Sequence, residues 1–135
     1  MDCIFCKIIN QEIPSHKVYE DESVYAFLDI NPSTKGHTVV IPKKHLETLM
    51  DLPDNDVNNL FLAVKKISQH LEKTLEPAGL NIGINMRKYA GQVVDHLHIH
   101  ILPRFEGDNG GSIHSIVNNP PEEDLKDILE KIKVD

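Results

Sequence analysis

From Pro53 to Leu75 the apolar residues Val57, Leu60, Phe61, Val64, Ile67, Leu71 and Leu75 recur at steps of three and four, which predicts one long helix with a single buried face. Pro53 suits its start, and Pro77 and Gly79 follow its end. Elsewhere the period shortens to that of strands. Lys17 to Tyr19 and Val24 to Leu28 are β-prone runs on either side of Glu20-Asp21-Glu22-Ser23, the make-up of a hairpin. A third strand is expected over His37 to Ile41, entered from the turn chemistry of Asp29-Ile30-Asn31-Pro32-Ser33-Thr34-Lys35-Gly36 and closed by Pro42. Leu80 to Met86 and Val93 to Leu102 read as two more strands, joined by a loop from Arg87 to Gly91. Near the start, Phe5, Ile8 and Ile9 keep helical spacing until Pro14, so a short helix carries or follows Cys6. Leu125, Ile128, Leu129 and Ile132 mark a last short helix, opened by Pro120-Pro121.

Hairpin-like strands with a single long helix among them predict an α+β fold with a mainly antiparallel sheet, not a regular β-α-β alternation. A length of 135 residues fits one domain, residues 1–135. The formal charge of −7 argues against a nucleic acid polymer or an anionic membrane as partner, while a small phosphorylated ligand held by local groups is compatible with it. No apolar run approaches the ~18 residues that span a bilayer, and Met1-Asp2-Cys3 lacks the bases of a secretory signal, so a cytoplasmic location is expected. In a reducing compartment, Cys3 and Cys6 at C-x-x-C spacing point to metal ligation or redox chemistry rather than to a structural disulfide.

Eight histidines stand out against this background, three of them in His96-Leu97-His98-Ile99-His100. In an extended segment these imidazoles share one face, while Leu97, Ile99 and Ile101 face the core. Three readings compete: a solvated stripe, an open-sided zinc that activates water, or a neutral imidazole nucleophile flanked by hydrogen-bond donors. Cys3 and Cys6 supply two thiolates of a Cys2His2 tetrahedron, for which His45 and His96 are the chosen partners. Zinc held by four protein ligands has no vacant position. It would fasten the N-terminal segment to the sheet as a structural ion and leave catalysis to the other histidines.

Taken together, Cys3-Ile4-Phe5-Cys6-Lys7-Ile8-Ile9, Ala26-Phe27-Leu28-Asp29-Ile30-Asn31-Pro32, Gly36 to His45, Ala90-Gly91-Gln92 and His96 to Arg104 occur in the order typical of the histidine-triad (HIT) superfamily, which the chain resembles over nearly its whole length. The resemblance implies a HIT-like fold, a homodimer that continues the sheet, and purine nucleotides or nucleoside phosphoramidates as ligands. By position, His98 resembles the family nucleophile, which attacks the α-phosphorus to form a nucleotidyl-histidine. His100 resembles the residue that bonds the phosphate, and His37 the fourth histidine of the site. Asp29 matches the acid that takes the ribose hydroxyls. Ile4, Phe5, Ile8, Phe27 and Ile30 match apolar positions around the base, and Asn85, Gly91 and Gln92 match the loop that approaches the phosphate. Cys3, Cys6, His45 and His96 are similar to a zinc set found in members that carry the cysteines.

The expected activity is hydrolysis of nucleoside 5′-phosphoramidates or related nucleotidyl compounds. The alternatives are hydrolysis of dinucleoside polyphosphates, nucleotidyl transfer to another acceptor, and a nucleotide-binding regulatory module without catalysis. Two departures bear on substrate range. Val93 stands where many members carry Ser, Thr or Glu, and Met86-Arg87 replaces a frequent Asn and Gly.

Overall fold

The computed structural model describes residues 2–135. In chain order its elements are α1 (Ile4–Ile9), β1 (Lys17–Glu20), β2 (Val24–Leu28), β3 (Thr38–Pro42), α2 (Asp54–Leu75), β4 (Gly79–Gly83), β5 (Ile99–Arg104) and α3 (Leu125–Ile132). The five strands form one sheet in the order β1-β2-β3-β5-β4, and every neighbouring pair is antiparallel. This is the expected α+β architecture. β5, which starts inside the histidine run, enters between β3 and β4 and so has a sheet neighbour on either side.

Alternation along the strands divides the core in two. Val24, Ala26, Val40, Leu97, Ile99 and Ile101 face α2, which buries Leu60, Ala63, Val64, Ile67 and Leu71 against them. Tyr25, Phe27, Val39 and Ile41 face the other way, onto Cys3, Phe5 and Ile8 of the N-terminal segment. α2 spans Asp54–Leu75, in agreement with its apolar period, and Glu76 ends it in the left-handed region at φ 50°, with its N–H bonded to the carbonyl of Glu72. α1 is capped by Cys3, whose sulfur accepts from the Cys6 N–H at 3.5 Å.

Three expectations need correction. β3 runs Thr38–Pro42, one residue later than the pattern suggests. β4 stops at Gly83, short of Met86. β5 begins only at Ile99, because the backbone before it bonds elsewhere: the Leu97 N–H donates to the Leu46 carbonyl at 2.7 Å, and the Gln92 side chain donates to the carbonyls of Glu47 and Val94. His96 and His98 therefore lie on an irregular approach to the strand. α3 forms as expected, but Leu125, Leu129 and Ile132 on its apolar face are exposed.

Candidate active site and metal centre

Although only His100 lies within β5, all three imidazoles of the run face the α1 side of the sheet. The Phe5 ring meets His96 and His98 edge-on at centroid separations of 5.8 and 5.1 Å, and His98 lies 5.0 Å from His100. His96 and His98 are buried. His37, which just precedes β3 and is also buried, brings its Nε2 to 2.9 Å from His100 Nδ1. Asp29, which follows β2, lies beside this pair with Oδ2 at 3.6 Å from His37 Nε2. Its Oδ1 accepts the Asn31 N–H at 2.8 Å, closing an Asx turn.

Main-chain groups determine which ring nitrogens carry protons. His98 Nδ1 lies 2.7 Å from the His96 carbonyl, which can only accept. In the neutral ring the proton is thus on Nδ1, and Nε2 presents a lone pair. Burial lowers the pKa of His100 to about 4, reinforced by repulsion from His98 and His37. Burial also lowers that of His37, against the opposing pull of Asp29. Both rings are neutral at pH 7. Such a cluster offers a nucleophilic nitrogen next to an uncharged hydrogen-bond donor, the combination needed for transfer at phosphorus.

Ninety-three positions apart in the chain, Cys3 and His96 meet with Sγ 3.5 Å from Nδ1; Cys6 Sγ lies 3.4 Å from His45 Nδ1 and 3.7 Å from His96 Nδ1. Tetrahedral zinc with Zn–S of about 2.3 Å and Zn–N of about 2.0–2.1 Å separates S and N ligands by roughly 3.6 Å, so the spacing fits that ion. The His96 ring is prepared for it. Its Nε2 donates to the Pro42 carbonyl at 2.8 Å, which directs the Nδ1 lone pair at the two sulfurs. Without a cation between them, burial and then the neighbouring Cys3 push the Cys6 thiol up to about 11.

The remaining candidates separate into groups. Phe5, Ile8 and Phe27 are buried in the core, whereas Ile4 and Ile30 are 45% and 78% exposed and free to touch a ligand. Asn85 packs beside Gly91: a Cβ at that glycine would lie 3.5 Å from the Asn85 amide. Gln92 points inward. Its Nε2 donates to Glu47 O at 2.7 Å and to Val94 O at 3.1 Å, and its Oε1 accepts the Arg87 N–H at 2.9 Å. Arg87, held by that bond, adopts φ 77° and ψ 157°, a region used almost only by glycine. Sequence reasoning missed the groups that orient the rings, namely the carbonyls of His96 and Pro42, since main-chain atoms leave no residue signature.

Residues 10–107 match the HIT domain. The chain belongs to the HIT family. An uncharacterised HIT-like protein of Methanocaldococcus jannaschii is 51% identical over 131 residues, covering 97% of this chain and 98% of its own length. An adenosine 5′-monophosphoramidase of Saccharomyces cerevisiae is 40% identical, covering 96% of this chain and 77% of that enzyme. Among solved structures, a HIT family protein of Bacillus subtilis superposes with a TM-score of 0.87 at 44% identity, covering 97% of this chain and 94% of that one. A zinc-bound histidine-triad protein of Mycobacterium smegmatis gives 0.76 at 41% identity, covering 81% and 79%. The HIT fold, a five-stranded antiparallel sheet with three helices, is common to this chain and its structural neighbours. No helix among the described residues is long and apolar enough to cross a membrane.

Proposed function

We propose that residues 1–135 of this HIT protein work as one nucleotidyl hydrolase domain that cleaves purine nucleoside 5′-phosphoramidates through a nucleotidyl-histidine on His98. The observation that carries this reading is the 2.7 Å bond from His98 Nδ1 to the His96 carbonyl, which leaves the lone pair on Nε2. A monophosphoramidase among its relatives supports the substrate class. His98 Nε2 attacks the α-phosphorus, the P–N bond breaks, and the amine leaves with a proton taken from water. Val93, 90% exposed, offers it no polar group. A second water then attacks phosphorus as the P–Nε2 bond breaks; the proton it loses neutralises the hydroxide left by the first water, and the nucleotide and the free imidazole are released.

In this reading His100, backed by His37, donates to the phosphoryl oxygens where charge accumulates. Asp29 Oδ2 receives the ribose hydroxyls while Oδ1 holds the turn. Ile4 and Ile30 grip the base over a floor stiffened by Phe5, Ile8 and Phe27. Asn85 and Gly91 line the phosphate loop, and Gln92 holds that loop from inside. Cys3, Cys6, His45 and His96 would hold a zinc ion. Such an ion stiffens the joint between α1 and the sheet, and through it the His96 carbonyl that orients His98. A reducing compartment, the cytoplasm, keeps both sulfurs available.

We further propose a homodimer. β4 is an edge strand, its neighbour in the sheet being β5 alone, and Ile82 on it is 46% exposed; pairing with a second copy would satisfy that edge. Sedimentation of a 15.3 kDa monomer at micromolar concentration refutes this.

Rapid quench with adenosine phosphoramidate tests the chemistry. The expected result is an intact mass increased by a nucleoside monophosphate located on His98 and absent from His98→Ala. Turnover that survives His98→Ala yet stops on chelation identifies metal-bound hydroxide instead. Faster turnover of a dinucleoside polyphosphate would move the substrate assignment to that class.

A further inference from the structure

Ser33 has no assigned role, yet its main-chain N–H lies 3.1 Å from His37 Nδ1. A peptide N–H only donates, so this nitrogen must hold a lone pair, and the single proton of the neutral ring sits on Nε2. From there it points along the 2.9 Å contact to His100 Nδ1. The Asp29 carboxylate, 3.6 Å from the same Nε2, helps to keep it there. His100 Nδ1 therefore accepts, and the His100 proton resides on Nε2. We infer that Ser33, through its backbone N–H and the His37 ring, is a positioning residue that makes His100 a hydrogen-bond donor toward the phosphate. Next to it, the His96 carbonyl leaves His98 Nε2 with a lone pair. This inference rests on the nucleotidyl reading of the site.

The loop is built to hold that N–H still. Asn31 is tied to Asp29 Oδ1, the Thr34 hydroxyl donates to the Pro103 carbonyl at 2.9 Å, and the His37 N–H returns to the Thr34 carbonyl at 3.1 Å. The competing use of the same atoms is a cation, since ligand atoms of Asp29, His37 and His100 lie within 4.8 Å of one another. An ion on His37 Nε2 would drive the ring proton to Nδ1, where it would confront the Ser33 N–H, donor against donor. His96 shows the opposite arrangement: a carbonyl takes the proton of Nε2, and Nδ1 is left free for metal. One criterion thus assigns the cysteine cluster to an ion and the Asp29 cluster to a hydrogen-bond chain. The chain ends in a peptide N–H that cannot be given up, so it orients protons and does not deliver them.

Long-range ¹H–¹⁵N correlation spectra of the full, metal-replete chain test this directly. The expected result is protons on Nε2 of both His37 and His100 and on Nδ1 of His98, with a coupling across the hydrogen bond from the Ser33 nitrogen to His37 Nδ1. A proton on Nδ1 of His37 or of His100 overturns the inference. The kinetic arm compares His37→Gln, whose amide N–H can still donate to His100, with His37→Leu, which is of similar bulk and offers His100 no donor. Gln should hold kcat within about tenfold, whereas Leu should lose about 10²–10³-fold, the effect of removing one oxyanion donor, at little change in KM. Equal losses in both variants also overturn it. Stated tautomers with no adduct on His98 would refute the function and spare the tautomer assignment; an adduct with the His37 proton on Nδ1 would do the reverse.

Discussion

Replacing Gln92 by alanine separates two accounts of this residue. If its amide contacted the phosphate, one use of a residue in the loop that the resemblance brings near the phosphate, Gln92→Ala would lower activity and leave stability nearly unchanged. In the structure the side chain is buried and bonded to Glu47 O, Val94 O and the Arg87 N–H. Three lost hydrogen bonds at about 1 kcal/mol each come to about 3 kcal/mol. Arg87 and Glu47 are exposed, so water would replace some of these bonds, and Arg87 could relax from its φ of 77°. The expected net loss is then about 2 kcal/mol. Urea unfolding followed by circular dichroism should show a lower midpoint at constant slope, with Gln92→Glu, which cannot donate, nearly as unstable. A change below about 0.5 kcal/mol together with a collapse of kcat would refute the reasoning and return Gln92 to the phosphate.

Zinc binding at pH 7 should release the Cys6 proton, because that thiol titrates at about 11 without metal, so affinity should rise with pH. A competition titration that shows no pH dependence contradicts this, as does unchanged zinc content in Cys3→Ser. Since His100 titrates at about 4 in the fold against 6.5 in the unfolded chain, the unfolded state binds more protons between these values. Stability should therefore be intact above pH 6.5 and fall as pH drops toward 4, by about 1–2 kcal/mol after discounting for solvent around a half-buried ring. A His100→Asn variant should show a shallower fall over that window, and identical profiles would count against the account. Gly36→Ala should cost about 2–4 kcal/mol, because Gly36 has φ +85° and a Cβ there would lie 2.5 Å from Leu75 Cδ1 and 3.3 Å from Pro103 Cγ. A thermal melt unchanged from the parent would show that the turn relaxes freely.

Much of the frame was present in the one-dimensional pattern. The seven apolar positions from Val57 to Leu75 specify α2 because a helix repeats every 3.6 residues whatever surrounds it. The alternation His96-Leu97-His98-Ile99-His100 specifies which side chains face α1 and which face α2, and this holds even though the first of these residues are not in the ladder. The Cys3-x-x-Cys6 spacing marked half of the candidate metal cluster, since short-range geometry brings those two sulfurs together without help from the rest of the fold.

Other properties belong to the fold alone. Phe5, Ile8 and Phe27 are as apolar as Ile4 and Ile30, and only packing decides that the first three close a core while the other two stand exposed. Gln92 reads as a polar loop residue, and the carbonyls of Glu47 and Val94 with the Arg87 N–H turn it inward. The apolar period of α3 predicts a helix but not its cover: among the described residues nothing buries Leu125, Leu129 or Ile132. Sequence determined which imidazoles are present and which face they share. The tertiary structure decided which of their nitrogens carry protons, because that depends on peptide groups at Ser33, Pro42 and His96, and every residue type other than proline presents the same N–H and C=O.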